Sequence, residues 1–281
     1  MRTKSAVDEL QLLGPADQQI AVRCQRVAPG EQLSTIPHVL MCGGFHSDMQ
    51  GTKATELAGF CAEQRWHYTR FDYRGHGASN GAPDAFTLDQ GLEDTLRVID
   101  QINESVLLIG SSMGGWLATL AALRRPEKIT GLLLVAAAPD FLQELVEPHL
   151  NTADQWDLQQ GQIVRLENQY ARPHPISQAL LDSAHRLALL SGTAAATAPV
   201  LADLACPVRL VHGTADTDVP YTLSARLMDG IEHANAELTL LHRADHRLSD
   251  ERSLRIIKDK LCELAAQTGA ITAPGEIPVG T

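Results

Sequence analysis

The sequence predicts an α/β fold in which a mostly parallel central sheet is covered by helices on both faces. The main evidence is that short apolar strand patterns alternate with amphipathic helix patterns along most of the chain. In addition, an apolar run at 106–109 ends in a glycine-rich turn and continues directly as a helix pattern. We expect one domain over residues 1–281, with a helical cap inserted at 140–199, before the strand at 207–212, and a loose tail at 268–281.

The predicted elements follow from the spacing of apolar residues. Strand segments are short and apolar, and the first two are expected to pair antiparallel. Helix segments place apolar residues on one face, as Leu88, Leu92 and Leu96 do. In chain order, strands are predicted at 9–13, 20–27, 38–42, 68–73, 106–109, 129–138, 207–212 and 236–242, and helices at 52–66, 88–99, 115–125, 222–233 and 250–266.

Size and charge limit the classes of protein that fit. At 281 residues and 44% hydrophobic composition, the chain can bury a large core. The net charge of -11 and the isoelectric point near 5.4 argue against a nucleic-acid partner or an anionic membrane surface, because either would favour a basic face. No segment approaches the ~18 consecutive apolar residues that a membrane span requires.

The cysteines and the first residues predict the compartment. The five cysteines are an odd number without C-x-x-C spacing, and most lie in apolar stretches, which is typical of buried thiols in a reducing environment. Near the N-terminus, Arg2 and Lys4 are followed by Asp8 and Glu9 without an apolar segment, so neither a secretory signal nor a transit peptide is expected. The prediction is a cytoplasmic protein.

The most informative motif is Gly110-Ser111-Ser112-Met113-Gly114, between the apolar run and the helix pattern. A serine in a sharp strand-to-helix turn projects its hydroxyl from the sheet, and flanking glycines allow the tight backbone. Ser112 is therefore the predicted nucleophile. Ser111 is the competing hydroxyl, but choosing it would put the glycines in the wrong motif positions.

A serine nucleophile needs an imidazole base and a carboxylate that orients the base. Of the eleven histidines, His246 follows a late strand and precedes the last helix, where this architecture places the base. The predicted acid is Asp216, in the loop after the strand at 207–212. Asp218 in the same loop and Asp140 after the preceding strand stay open as alternatives.

Two backbone amides are expected to stabilise the negatively charged oxygen that forms during acyl transfer. One is the amide of Met113, directly after the predicted nucleophile. The other is the amide of Phe45, because Gly43 and Gly44 allow close backbone approach after the strand at 38–42. The alternative for the two glycines is a simple turn.

These motifs and their order resemble the α/β-hydrolase superfamily. Five segments, at 44–54, 70–77, 110–116, 207–216 and 245–247, carry a closer resemblance. They are similar to the abhydrolase-domain acyl-protein thioesterases and acyl-glucuronide esterases with their bacterial relatives. The resemblance implies a triad of Ser112, Asp216 and His246, no cofactor, and cleavage of acyl esters or thioesters. No metal site is predicted.

The predicted function is a serine hydrolase that cleaves carboxylic esters or acyl thioesters through an acyl-enzyme on Ser112. The substrate is expected to be a small-molecule acyl ester or thioester, or an acylated protein. We expect Trp156 and Leu166 of the inserted cap to form part of the acyl-binding wall. One alternative is a cap that touches no substrate, and another is a ligand-binding protein that keeps the fold with little or no turnover. A third is a different chemistry on the same fold, such as that of a lyase or a peptidase; a dehalogenase is excluded because it would want a carboxylate at position 112.

Overall fold

The central sheet has eight strands in the part of the chain that the computed structural model describes, residues 7–27, 37–166, 173–190 and 201–269. The strands are β1 (Val7–Leu13), β2 (Ile20–Arg26), β3 (His38–Cys42), β4 (Tyr68–Phe71), β5 (Val106–Ser111), β6 (Ile129–Val135), β9 (Val208–Gly213) and β10 (Ala236–Leu241), and two further strands, β7 (Val164–Leu166) and β8 (His174–Ile176), form a separate pair. The spatial order of the central sheet is β1-β2-β4-β3-β5-β6-β9-β10; the pairs β1–β2 and β2–β4 are antiparallel and the others parallel. The predicted α/β fold is therefore confirmed.

The helices connect these strands and have clear local starts. Thr87 caps α2 (Leu88–Gln101) through a reciprocal pair of hydrogen bonds with Gln90, which satisfies N–H groups that would otherwise lack acceptors. Among the described residues, no helix is both long and apolar enough to cross a membrane. The helices are α1 (Thr52–Gln64), α2 (Leu88–Gln101), α3 (Met113–Arg124), α4 (Thr152–Gln159), α5 (Gln178–Arg186), α6 (Tyr221–Asp229) and α7 (Glu251–Gly269).

The sheet is buried on both faces because successive residues of its central strands enter two different cores. In β5, Leu108 belongs to the core on the side of α2 and α3, whereas Leu107 and Ile109 belong to the core on the side of α1 and α7. All three are fully buried. Burial on both faces explains why the central strands appear in the sequence as continuous apolar runs. The carboxyl ends of these strands carry the site.

The segment between β6 and β9 is not purely helical, so that part of the prediction is wrong. It contains a π-helical turn at Leu142–Val146 as well as α4 and α5, but β7 and β8 pair antiparallel as a short hairpin. Each strand has only three residues, too few to show an alternating pattern, and prolines at 173 and 175 disfavour helix. The predicted tail at 268–281 overlaps the end of α7, and residues 270–281 lie outside the described part.

Helix α5 is anchored to the main domain by buried hydrogen bonds. The Leu88 amide donates to the Ser183 hydroxyl at 2.9 Å, and the Trp116 indole N–H donates to the Leu187 carbonyl at 3.0 Å. Ser183 and Trp116 are both fully buried. Because breaking such bonds would leave buried polar groups unpaired, this end of the inserted segment is firmly attached.

Candidate active site

Ser112 lies in a sharp turn between β5 and α3. Its φ of 55° and ψ of -123° are an uncommon backbone conformation for a residue with a side chain. The flanking glycines are required by space: a Cβ on Gly110 would lie 2.4 Å from the Gly114 carbonyl oxygen, and one on Gly114 would lie 2.2 Å from that of Cys42. The strand-turn-helix geometry predicted from the motif is thus present. Ser111 is the last residue of β5 and is buried.

Ser112, His246 and Asp216 form one hydrogen-bonded chain. His246 Nε2 lies 3.0 Å from Ser112 Oγ, and His246 Nδ1 lies 2.7 Å from Asp216 Oδ2. His246 stands in the loop between β10 and α7, and this loop passes so close to β9 that a Cβ on Gly213 would lie 2.2 Å from the Ala244 carbonyl oxygen. The three side chains, 134 and 30 residues apart along the chain, therefore meet at the carboxyl end of the sheet.

The Asp216 carboxylate accepts four N–H groups. Its Oδ1 accepts from the amides of Asp218 and Val219 at 2.9 and 2.8 Å, and its Oδ2 faces ring nitrogens of His212 and His246 at 3.0 and 2.7 Å. Burial alone would raise the pKa of Asp216, but the hydrogen bonds from His212, His246 and Val219 hold that pKa well below its ordinary value. Asp216 is therefore a fixed anion beside His246.

The two alternative acids have other positions. Asp218 contributes its backbone amide to Asp216, and its carboxylate lines the cavity beside the site. Asp140 is fully buried with a φ of 53°, and its carboxylate accepts the amides of Leu189 and Leu190 at 2.8 and 2.7 Å. Asp140, which follows β6, thus binds the stretch of chain that follows α5, a role that the sequence did not reveal.

The loop after β3 runs beside Ser112. A Cβ on Gly44 would lie 3.3 Å from Ser112 Cβ, and the next residue is Phe45. Met113 is the first residue of α3, where amides have no acceptor within the helix. The structure thus places the loop that leads to Phe45 and the first residue of α3 next to Ser112. The amide pair of Phe45 and Met113 stays a prediction.

Asp72 holds this loop, a role that no sequence motif indicates. The carboxylate, at the end of β4, accepts the amides of Met49 at 2.6 Å and Ala78 at 2.8 Å. Burial raises its pKa, partly offset by these two bonds. A Cβ on Gly77 would lie 2.1 Å from Asp72 Oδ2, so glycine is needed there, and its φ is +47°. The motif Gly75-His76-Gly77 therefore serves to bring a second loop onto the same carboxylate.

A cavity of about 1260 Å³ opens above Ser112. One wall comes from the loops around Phe45 and His246, and the opposite wall from the inserted segment. Trp156 does not line this cavity and is 63% exposed, so its predicted contact with substrate is wrong; Leu166 does line it. The apolar residues of the walls include Phe45, Phe141, Leu145, Val146, Leu166 and Ile176.

Charged groups stand at the edge of the cavity. Arg165 of β7 pairs with Asp84 at 2.6 Å, an exposed link between the hairpin and the main domain. Lys53 at the start of α1 donates to the Arg247 carbonyl, next to His246. Burial lowers the pKa of Lys53 from its ordinary 10.5 to about 8. The edge of the cavity is thus charged and polar, whereas its walls are largely apolar.

Three histidines stack across the cavity wall. The ring of His46 lies 5.3 Å from that of His76 and 5.2 Å from that of His174, with interplanar angles of 21° and 15°. Burial lowers the pKa values of His46 and His76 to about 4, and it also lowers the pKa of His174. The stack is thus uncharged near neutral pH, and it joins strand β8 of the hairpin to the loop that carries Phe45.

Donor atoms of Asp216, Asp218 and His246 lie within 4.8 Å of one another, close enough to consider a metal ion. The hydrogen bonds of these residues argue against a metal site. Both Asp216 oxygens accept N–H groups, and His246 directs Nδ1 toward Asp216 and Nε2 toward Ser112. Binding a cation would break the chain that reaches Ser112, so these residues fit proton transfer better than metal binding.

The chain matches the family model described as serine aminopeptidase, S33, over residues 35–253, which is well over half its length. It belongs to this family of α/β hydrolases. The prediction of an α/β-hydrolase enzyme is therefore confirmed. The fold and the order of its motifs agree with that membership.

Comparisons with individual proteins point the same way. This α/β hydrolase is 30% identical over 224 residues to Palmitoyl-protein thioesterase ABHD10, mitochondrial, of Bos taurus, covering 79% of the chain and 70% of the relative. It superposes on a hydrolase-fold protein from Agrobacterium vitis S4 with a TM-score of 0.81 and 29% identity, covering 93% and 100% of the two chains. Mouse alpha/beta hydrolase domain-containing protein 10 gives a TM-score of 0.78 and 26% identity, covering 92% and 99%. The resemblance to abhydrolase-domain thioesterases is confirmed.

Proposed function

We propose that the protein is a serine hydrolase that cleaves carboxylic esters or acyl thioesters through an acyl-enzyme intermediate on Ser112. The observation that carries the proposal is the hydrogen-bonded chain from Ser112 through His246 to Asp216, at the floor of the cavity. A purely ligand-binding protein has no need of these three groups in this order. Their arrangement matches what acyl transfer requires of a nucleophile, a base and an orienting anion.

In the proposed reaction, His246 Nε2 takes the Ser112 hydroxyl proton as Oγ attacks the acyl carbonyl carbon. The tetrahedral intermediate then collapses, and the same proton passes to the leaving alcohol or thiol. Water repeats the sequence on the acyl-enzyme and releases the carboxylic acid. Asp216 keeps the proton of His246 on Nδ1 and stabilises the imidazolium that forms in each half.

The amides of Phe45 and Met113 are the proposed donors to the negatively charged oxygen of the intermediate. The close approach of Gly44 to Ser112 supports this assignment, since it brings the following amide to the serine. The N-terminus of α3 adds a favourable partial positive charge on the same side. Asp72 supports the geometry by holding the loop through the Met49 amide.

For the substrate, we propose an acyl chain in the apolar part of the cavity and a leaving group at its polar edge. The apolar wall and the cavity volume of about 1260 Å³ suit a chain of several methylenes, each worth ~0.8 kcal/mol when buried. The bovine relative is by name a palmitoyl-protein thioesterase, which favours a thioester on a small molecule or a protein. Residues 140–199 would then act as the cap that selects the chain.

The cell compartment of the protein is a separate question from its chemistry. A cytoplasmic location, based on the cysteine pattern, stays a prediction, and the bovine relative is by name mitochondrial. Fractionation of the native host would decide between the two. The proposed chemistry is the same in either compartment.

A fluorophosphonate probe and a panel of p-nitrophenyl esters and acyl thioesters test the function together. We expect one probe molecule per chain, attached at Ser112, and turnover that the probe abolishes. The matched control is Ser111→Ala, which leaves the Ser112 hydroxyl in place and should label like the parent. A folded protein that neither reacts with the probe nor turns over any acyl substrate would establish the ligand-binding alternative instead.

A further inference from the structure

We propose that His212 is a positioning residue for the proposed reaction: from β9 it holds the Asp216 carboxylate in the orientation that His246 requires. This inference rests on the proposed function. The sequence suggested only a histidine of the core or near the site, because His212 ends an apolar strand pattern. The structure places it four residues before Asp216, fully buried and in contact with the carboxylate.

The contacts of His212 fix the position of its proton. Its Nε2 lies 3.0 Å from Asp216 Oδ2 and 2.9 Å from the Val219 carbonyl oxygen. Both partners only accept hydrogen bonds, since Asp216 is an anion, so Nε2 must carry a proton. On the other side, Nδ1 lies 2.7 Å from the buried Ser224 hydroxyl, which can donate to it. The ring is therefore held on both sides, and its Nε2–H is shared between the Asp216 carboxylate and the Val219 carbonyl.

Asp216 Oδ2 is shared between two histidines. His246 and His212 approach it at 2.7 and 3.0 Å, whereas Oδ1 is held by the Asp218 and Val219 amides. Without His212, only His246 would restrain Oδ2, and the carboxylate could rotate about the contacts of Oδ1. Small misplacements of reacting groups lower rates strongly, so a rotation of Asp216 would reduce turnover more than binding.

His212 also influences charge. A donor on Oδ2 draws electron density from the oxygen that faces His246, and its removal would stabilise the protonated form of His246. The acidic limb of the kcat/KM profile should then move to higher pH. The other charged groups around His246, namely Asp218, Lys53, Asp245 and Arg247, would be unchanged in such a variant.

The test compares three variants of the full chain. His212→Leu removes the donor and roughly keeps the volume, and His212→Gln keeps an N–H at a similar reach. His38→Leu is the matched control, because His38 is also buried, bonded to Thr69, and lies at the opposite end of the sheet. Rates are expressed per active site titrated with a fluorophosphonate.

For His212→Leu we expect kcat to fall roughly tenfold, with KM changed less than about twofold and the acidic limb shifted upward. His212→Gln should recover most of kcat, and His38→Leu should match the parent. If His212→Leu matches His38→Leu in kcat and in pH profile, the proposal is overturned and His212 is a core residue.

A measurement on the parent protein covers the case in which His212→Leu does not fold. Nitrogen-15 NMR of labelled histidines reports which ring nitrogen is protonated. A proton on Nε2 of His212 supports the proposal, and one on Nδ1 alone overturns it. This measurement does not require turnover. Failure of the proposed function would show separately, as turnover by the parent that does not depend on Ser112.

Discussion

The two walls of the cavity are held in different ways. The wall that carries Ser112, His246 and Asp216 is fixed by hydrogen bonds of 2.7–3.0 Å at the ends of buried strands. The hairpin wall opposite is tied at its edge by the ion pair of Arg165 with Asp84, whose side chains are 54% and 40% exposed. Such exposed pairs contribute little stability. The hairpin also packs apolar side chains into the core. We propose that the rigid wall carries the chemistry and that the hairpin, here called the adaptable wall, contacts the acyl chain.

The largest expected effect is at the rigid wall. Ser112→Ala should lower turnover of all acyl substrates about a thousandfold or more, because only binding and the backbone donors would remain. The free energy of unfolding should stay close to that of the parent. Steady-state rates and a thermal melt measure both. A folded variant that keeps most of its turnover would move the nucleophile away from the rigid wall.

The acid of the rigid wall gives the next largest effect. Asp216→Asn should cost roughly a thousandfold in kcat, because an amide no longer fixes the proton of His246 on Nδ1. Asp218→Asn is the matched control in the same loop and should cost less than about tenfold, since its backbone amide to Asp216 is retained. The opposite ranking in kcat would transfer the acid role to Asp218.

The adaptable wall should affect selectivity. Leu166→Ala should lower kcat/KM for long acyl chains relative to short ones by about three- to tenfold, through lost apolar contact worth ~1 kcal/mol. Trp156→Ala is the control, because Trp156 belongs to the same inserted segment but does not line the cavity. A panel of esters of graded length measures the ratio. If Leu166→Ala changes kcat/KM by the same factor for all acyl-chain lengths, the hairpin does not select for chain length.

A smaller effect concerns the histidine stack that joins the two walls. The folded-state pKa values of His46 and His76 lie near 4, below the ordinary 6.5, so unfolding takes up protons between these pH values. The free energy of unfolding should therefore decrease as pH falls from 6.5 toward 4. His76→Phe keeps a stacked ring without a titrating group and should reduce the decrease between pH 7.5 and 5 by about 2 kcal/mol.

Urea unfolding at pH 7.5, 6 and 5 measures this slope. At pH 7.5 both imidazoles are neutral, so the comparison of parent and variant there isolates the packing change. An identical slope for the two proteins between pH 7.5 and 5 would show that His76 does not contribute. The stack would then be a packing feature only.

The rigid wall could be predicted from the sequence far better than the adaptable one. Ser112 sits in a local motif, and the positions of Asp216 and His246 follow from the order of strands and loops. These predictions need only a short motif and the order of the elements along the chain. The roles of Asp140 and Asp72 could not be predicted from the sequence. Their contacts with Leu189 and Met49 join positions 49 and 23 residues apart, and no short motif shows such a pairing.

The hairpin was missed for a physical reason. Its strands have three residues each, and Pro175 interrupts any alternating pattern in β8. The exposure of Trp156 was equally hidden, because a large apolar residue in a helical fragment normally indicates a core or a binding surface. No residue of α4 lines the cavity. Whether a helix so short lies against the cavity depends on tertiary packing, and helix periodicity does not determine it.

The most direct test of the central claim is to trap the acyl-enzyme. The protein is mixed with a p-nitrophenyl acyl ester, and the reaction is quenched in acid during turnover. The protein is then digested, and the masses of the peptides are measured by mass spectrometry. The proposed mechanism predicts that the peptide containing Ser112 gains the mass of the acyl group, and that Ser112→Ala does not. Acylation of another residue such as Ser111, or equal acylation of Ser112→Ala, would contradict it.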